Sequence, residues 1–161
     1  MKKSYINLVW QIGLCGLIVV LDRISKLYIL NNFQVGEIFG EIPYVANFMY
    51  VQNTGAAFSI FSNSTMLLTA VSVLFLFAII LYKIIRKPQH FMENLAVVLF
   101  FAGGLGNAID RVMYKFVVAF IDIKWFDFPV FNIADMAIVM GAATAVIYVM
   151  FFDKDGEKHN G

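Results

Sequence analysis

Charge is scarce in this chain. Only 14% of its 161 residues are Asp, Glu, Lys or Arg, against 61% that are hydrophobic, and the mean hydropathy is +0.78. A soluble domain of this size can bury a good core but rarely carries so little charge, so a water-exposed globule is a poor description. Cysteine is nearly missing as well. A single residue, Cys15, excludes an internal disulfide, and no His/Cys cluster suggests a metal. Neither a metal nor another cofactor is expected, and no nucleic-acid partner. Internal repeats and low-complexity segments are also absent.

What the chain has instead is long apolar runs. Four stand out: Ile6–Lys26, Met66–Tyr82, Phe91–Ile109 and Ile133–Phe152. Each approaches the ~20 residues that a hydrocarbon layer about 30 Å thick demands of a helix. Buried helices of a soluble protein are the alternative, but little polar sequence remains to cover them. The expectation is a single integral membrane domain over residues 1–161 with four spans, about 6–26, 66–82, 91–109 and 133–152.

Positive charge orients the spans. Lys2 and Lys3 precede the first, and Lys83, Arg86, Lys87 and His90 fill the short link between the second and third. No Lys or Arg occurs between Lys26 and Lys83. Both termini are therefore expected in the cytoplasm, with residues about 27–65 and 110–132 facing outward. Arg111, Lys115 and Lys124 lie in the second outer link, so that half of the assignment rests on alternation. The basic start and first apolar run fit a signal peptide, but DRISK follows instead of a small-x-small cleavage site, and an uncleaved span is expected. Cys15 follows Leu14, where a lipid-attachment motif wants a small residue, and reads as a packing residue. The tail DKDGEKHNG reads as a solvated end.

The first outer link, about 31–65, is long and patterned. VANFMYVQN mixes aromatic and β-branched residues with small polar ones, which favours strand, and GAAFSIF follows a turn at Asn53 and Thr54. Phe33, Phe39, Phe48, Phe58 and Phe61 suggest that the link lies against the bilayer surface. It is either an ordinary interfacial hairpin or a platform for an extended peptide.

Polar groups gather at the outward ends of the spans. Asp22 and Lys26 stand at i, i+4 on the first and can pair. Asp110 and Arg111 end the third, Asn107 lies one turn earlier, and Gly103, Gly104 and Gly106 allow close helix approach. No strand precedes those glycines, which argues against a phosphate loop. In FNIAD, Asn132 can cap the fourth helix with Asp135 at N3, favourable to the helix dipole. A charge at mid-bilayer costs roughly 2.5–3.5 kcal/mol, so such residues are paired, interfacial or functional.

Five ordered motifs sharpen this. DRISK (22–26), NTGAAFSIF (53–61), GGLGNAIDR (103–111), FVVAF (116–120) and FNIAD (131–135) together resemble the lipoprotein signal peptidases, signal peptidase II. The resemblance covers nearly the whole chain. It implies an all-α membrane protein: a four-transmembrane-helix bundle with a small β-rich cradle in the first extracytoplasmic link and both termini cytoplasmic. It implies an aspartic endopeptidase of the bacterial cytoplasmic membrane, its active site near the extracytoplasmic face. The substrates would be prolipoproteins, cut before a diacylglyceryl-modified cysteine, with membrane lipid around them and globomycin as an inhibitor. Asp135 matches one catalytic aspartate, while Asp22, Lys26, Asn53, Gly55, Asn107, Asp110, Arg111 and Asn132 match positions that order the site or hold the substrate.

One motif departs. The family's V-V-D-F element aligns with Val117-Val118-Ala119-Phe120, so the second catalytic aspartate is Ala119. Hydrolysis by paired carboxylates needs one ionised to activate water and one protonated to polarise the carbonyl, which like charges a few ångströms apart arrange by splitting their pKa values. A methyl group does neither. Asp122 would face away from Ala119 on a regular strand but share its face on a helix. The expectation is a chain that binds substrate without cutting it. Intact motifs elsewhere favour a deliberate Asp→Ala replacement over drift in a natural relative. A small ion or proton transporter using Asp22, Asp110 and Asp135, or a non-catalytic lipoprotein-binding protein, are the alternatives; relay carboxylates usually spread through the membrane depth.

Overall fold

The computed structural model describes residues 2–55, 65–125 and 128–153. Four helices and three strands follow one another along the chain: α1 (Lys2–Asn32), β1 (Ile38–Ile42), β2 (Ala46–Asn53), α2 (Thr65–Arg86), α3 (Phe91–Tyr114), β3 (Val117–Ile123) and α4 (Ile133–Phe151). All four helices are long and apolar enough to cross a membrane. Large side chains on α1, α2 and α4 point outward: Val9, Ile12, Leu74, Phe77, Val139 and Val149 are all exposed. Such a surface would aggregate in water but suits lipid.

The third helix is the hub. It packs on α1, α2 and α4 and touches β3, and more of it is buried than of any other helix. His90 caps its start by accepting the Met92 N–H at 3.3 Å, and Glu93 in the first turn complements the helix dipole. Its end is set by Lys115 in the left-handed conformation (φ 67°), whose N–H returns to the Arg111 carbonyl. Between these ends, small residues let the neighbours close in. A Cβ on Gly103 would collide with the Ala134 carbonyl, and one on Gly106 would stand 2.7 Å from Asp22 Oδ2. Glycine is required there because α1 and α4 approach the α3 backbone itself.

The three strands form one antiparallel sheet in the order β1-β2-β3. Two of them come from the first outer link, and the third is contributed by the second link, after α3. Ile38 faces Met49 and Asn53 faces Val117, with the register slipping between Phe48 and Val51. Phe131, just before α4, is drawn onto the free side of β3: its carbonyl accepts the N–H groups of Phe120 and Ile121, and its own N–H donates to Ile121. Beneath the sheet, Ile29, Tyr50, Val118 and Phe120 form a buried cluster flanked by the stacked rings of Phe33 and Phe39. The apolar run expected after Gly55, with Phe58 and Phe61, falls at 56–64, outside the described residues.

Gly106→Ala is expected to lower stability by about 1–3 kcal/mol, because the added methyl meets packed atoms that must move. Gly16→Ala, with nothing within 4 Å of its Cβ, is expected to stay within about 0.5 kcal/mol of the parent. Thermal unfolding in detergent micelles measures both, and equal losses would contradict this account of the close approach.

Candidate active site

Ionic groups converge where α1, α3, α4 and β3 meet, at the end of the bundle that carries the sheet. Lys26 is at the centre and is wholly buried. Its ammonium lies 2.8 Å from Asp22 Oδ2 and 3.0 Å from Asp110 Oδ2, and it donates to Asn107 Oδ1 at 3.1 Å. An ammonium has three protons, and three acceptors surround this one. The i, i+4 spacing of Asp22 and Lys26 does give an ion pair, and Asp110 makes it a shared one.

Each carboxylate then reaches a further element. Asp22 Oδ1 accepts the Ala134 N–H at 3.0 Å, holding the first turn of α4. Asp110 accepts the Val118 N–H at 3.1 Å through Oδ2 and takes the Arg23 guanidinium on Oδ1 at 2.6 Å. Arg23 also donates to the Tyr114 hydroxyl and lies 5.6 Å from that ring's centroid. Two cations thus balance two anions in the interior, where a lone ion would cost several kcal/mol.

Asn107 and Asn132 join this core to Asp135. Because Asn107 Oδ1 faces Lys26, its amide nitrogen faces the other way and donates to Asp135 Oδ1 at 2.6 Å. Asn132 donates to Asn107 Oδ1 at 3.1 Å and to the Val118 carbonyl at 2.9 Å. It is also the N-cap of α4, in a reciprocal capping box: its Oδ1 accepts the Asp135 N–H, and Asp135 Oδ2 accepts the Asn132 N–H. Capping and convergence on the ionic core are therefore both present at FNIAD.

Beside Asp135 lies a cavity of about 610 Å³. Asn53, Gly55, Asn107, Arg111 and Asp135 supply its polar lining, and Met136, Val139 and Met140 form part of an apolar wall. Asn53 Oδ1 accepts the Gly55 N–H at 2.9 Å, a local turn that closes β2. Arg111 donates to Ser72 Oγ at 3.2 Å, so α2 steadies its guanidinium. Asp22, Lys26, Asp110 and Asn132 stand behind the cavity as its frame. A carboxylate, an amide and a guanidinium around an apolar hollow can bind a peptide carbonyl and an acyl chain together, and the carboxylate can take a proton from water.

Ala119 is 1% exposed, on the strand whose Val117 lines the cavity. Its neighbour Val118 is held at both main-chain groups, by Asp110 and Asn132. Segment 117–123 is a strand, and Asp122 is paired with Asn47, whose amide donates to it at 3.1 Å. That pair lies toward the end of the β2–β3 ladder remote from the Asn53–Val117 pair at the cavity, about 10 Å along the strand from Ala119. Asp110 is fully engaged by Arg23, Lys26 and Val118. Among the described residues no three His, Cys, Asp or Glu groups gather where they could hold a metal.

Sequence reasoning passed over Arg23, Ser72 and the Val118 main chain. Arg23 left a signal, since a cation inside an apolar span needs a partner. A hydroxyl in a run as apolar as α2, or a backbone N–H, gives none.

The chain is similar to known proteins in sequence and in fold. The family model described as "Signal peptidase (SPase) II" matches residues 14–151. The lipoprotein signal peptidase of Shewanella halifaxensis is 39% identical over 166 residues, covering 99% of this chain and 95% of that protein. That of Clostridium acetobutylicum is 37% identical over 147 residues, covering 86% and 94%. A bacterial membrane enzyme solved by the in meso method at 2.3 Å resolution superposes with a TM-score of 0.84 at 31% identity, over 90% of each chain. A four-helix bundle with this sheet, these buried ions and these relatives belongs to the signal peptidase II family, the lipoprotein signal peptidases of bacterial membranes.

Proposed function

We propose that this chain receives diacylglyceryl-modified prolipoproteins at the outer face of the cytoplasmic membrane and holds the bond before the lipidated cysteine against Asp135. It does so without cutting that bond at a useful rate. The observation that carries this reading is the Asp135 carboxylate on the cavity, with Ala119 buried two residues along the strand from Val117, which lines the same cavity. The cavity suits such a substrate: its amide and guanidinium groups are placed for peptide carbonyls, and its methionine-rich wall for acyl chains. A peptide antibiotic of the globomycin type is expected to compete for the same space.

In this mechanism Asp135 acts as the base that takes a proton from the attacking water. Asn107 and the capping Asn132 N–H orient its two oxygens, and Arg111 and Asn53 steady the substrate backbone. The missing role is that of the acid that polarises the scissile carbonyl. Its loss is worth about 10²–10⁴ in rate, and more where the two carboxylates act as a unit. Asp122 and Asp110 are occupied elsewhere and do not substitute.

Ala119 also favours a second reading, a lipoprotein-binding protein that never cleaves. The variant Ala119→Asp separates the two. It is expected to raise cleavage of lipidated prolipoprotein by at least about 10²-fold in a gel-shift assay, with the unchanged chain binding but not turning over. A revertant that stays inert while retaining substrate as well as the parent would support the binding protein instead.

Frame and cavity residues should also part company. Lys26→Met leaves two buried carboxylates short of a counter-ion and is expected to cost about 3–5 kcal/mol in thermal unfolding. Arg111→Gln, at the cavity, is expected to weaken retention of lipidated substrate about tenfold, while moving the unfolding midpoint far less. Similar destabilisation by both would remove the distinction.

A further inference from the structure

The helix that supplies no lining side chain to the Asp135 cavity but still reaches it is α2. It is the least buried of the four, and α3 is the only element it packs on broadly among the described residues. Glycine sets how near the two come. A Cβ on Gly104 of α3 would stand 3.1 Å from Phe75 Cδ1 and 3.2 Å from Leu76 Cδ2, closer than carbon contacts ordinarily run. The chain reverses between α2 and α3, so moving back along one is moving forward along the other. Ser72 lies three and four residues before Phe75 and Leu76, one turn on along the same face. Arg111 lies seven residues after Gly104, two turns on, and a long helical side chain leans back over the turn before it. The two side chains therefore meet at one level, and Arg111 Nη1 donates to Ser72 Oγ at 3.2 Å.

The hydroxyl's own direction is fixed as well. Ser72 donates its proton to the carbonyl of the buried Leu68 at 2.8 Å, so only its lone pairs are left for Arg111. A guanidinium carries five N–H donors in a planar fork. Among the described residues, Ser72 is the one hydrogen-bond acceptor of this fork. Asp135 borders the same cavity, but its two oxygens are held by Asn107 and by the Asn132 N–H. Held by its stem at one end and by the hydroxyl at the other, the fork has little freedom to turn. Its remaining donors are left to the cavity that Arg111 lines.

We infer that Ser72 is a positioning residue for substrate binding: it holds the Arg111 guanidinium so that the remaining donors face a peptide carbonyl in the Asp135 cavity. The inference rests on the function proposed for that cavity and adds to it a residue of α2. Removing the hydroxyl leaves Arg111 in place but free to rotate. A bound peptide must then order the guanidinium itself, and that lost freedom is subtracted from affinity. Threonine keeps both the hydroxyl and its bond to the carbonyl four residues back. Were Ser72 only part of the α2–α3 packing, its effect on binding would not depend on what stands at position 111.

A double-mutant cycle tests this, with the full chain in nanodiscs and a diacylglyceryl-modified precursor as the probe. Ser72→Ala is expected to weaken binding about fivefold, and Ser72→Thr to stay within about twofold of the parent. On the Arg111→Gln background, Ser72→Ala is expected to cost nothing further, because the group it positions is gone. A loss of the same size on both backgrounds would assign Ser72 to helix packing and overturn the inference. So would a Ser72→Thr chain as weak as Ser72→Ala. If the unchanged chain does not retain the precursor at all, the function proposed for the Asp135 cavity fails and this inference with it. If the chain retains the precursor and Ser72→Ala binds it equally well, only this inference fails.

Discussion

One ammonium group, that of Lys26, sets the terms for the rest of the structure. Its three protons go to Asp22, Asp110 and Asn107, and each acceptor then reaches a different part of the fold. Asp22 holds the start of α4, Asp110 holds β3, and Asn107 holds Asp135. Burying a cation costs several kcal/mol unless its surroundings are arranged to receive it. Here the arrangement that meets that cost also fixes the relative position of three helices and a strand. The glycines of α3 serve the same end, since Gly106 lets Asp22 stand against the helix backbone.

A consequence follows for the amides. An asparagine side chain can present either end to a neighbour, and nothing in its shape chooses. Asn107 has no such choice: its oxygen must face the ammonium, so its nitrogen must face Asp135. The charge on Lys26 is felt at Asp135 through a group that carries none. The capping box works similarly. Asp135 lends one oxygen to the helix terminus and the other to Asn107, so the orientation of its carboxylate is decided by folding before any substrate arrives.

Much of this could be read from the residues. Runs of apolar sequence announced the four helices, because length and lack of charge are properties of a segment alone. The spacing of Asp22 and Lys26, and of Asn132 and Asp135, foretold a pair and a cap for the same reason. What stayed hidden depends on meetings between distant segments. Nothing in VVAFIDI says that it will join a hairpin located before α2, nor does Asp110 reveal that Arg23 lies across from it. The simple alternation argument for Asp122 was also incomplete. The β2–β3 ladder slips between Phe48 and Val51, and both Phe120 and Ile121 donate to one carbonyl of Phe131. What occupies Asp122 is a partner, Asn47, that no local pattern names.

Val118 leads to a last point. Its N–H and its carbonyl are each taken by a buried side chain from another element, so β3 is located by its main chain. The residue that follows rides on this mounting and contributes nothing to it. Position 119 is thus a socket: the fold brings the side chain that stands there to one buried place, where Ala119 is 1% exposed. Residue 119 therefore takes its place from hydrogen bonds in which its own side chain has no part.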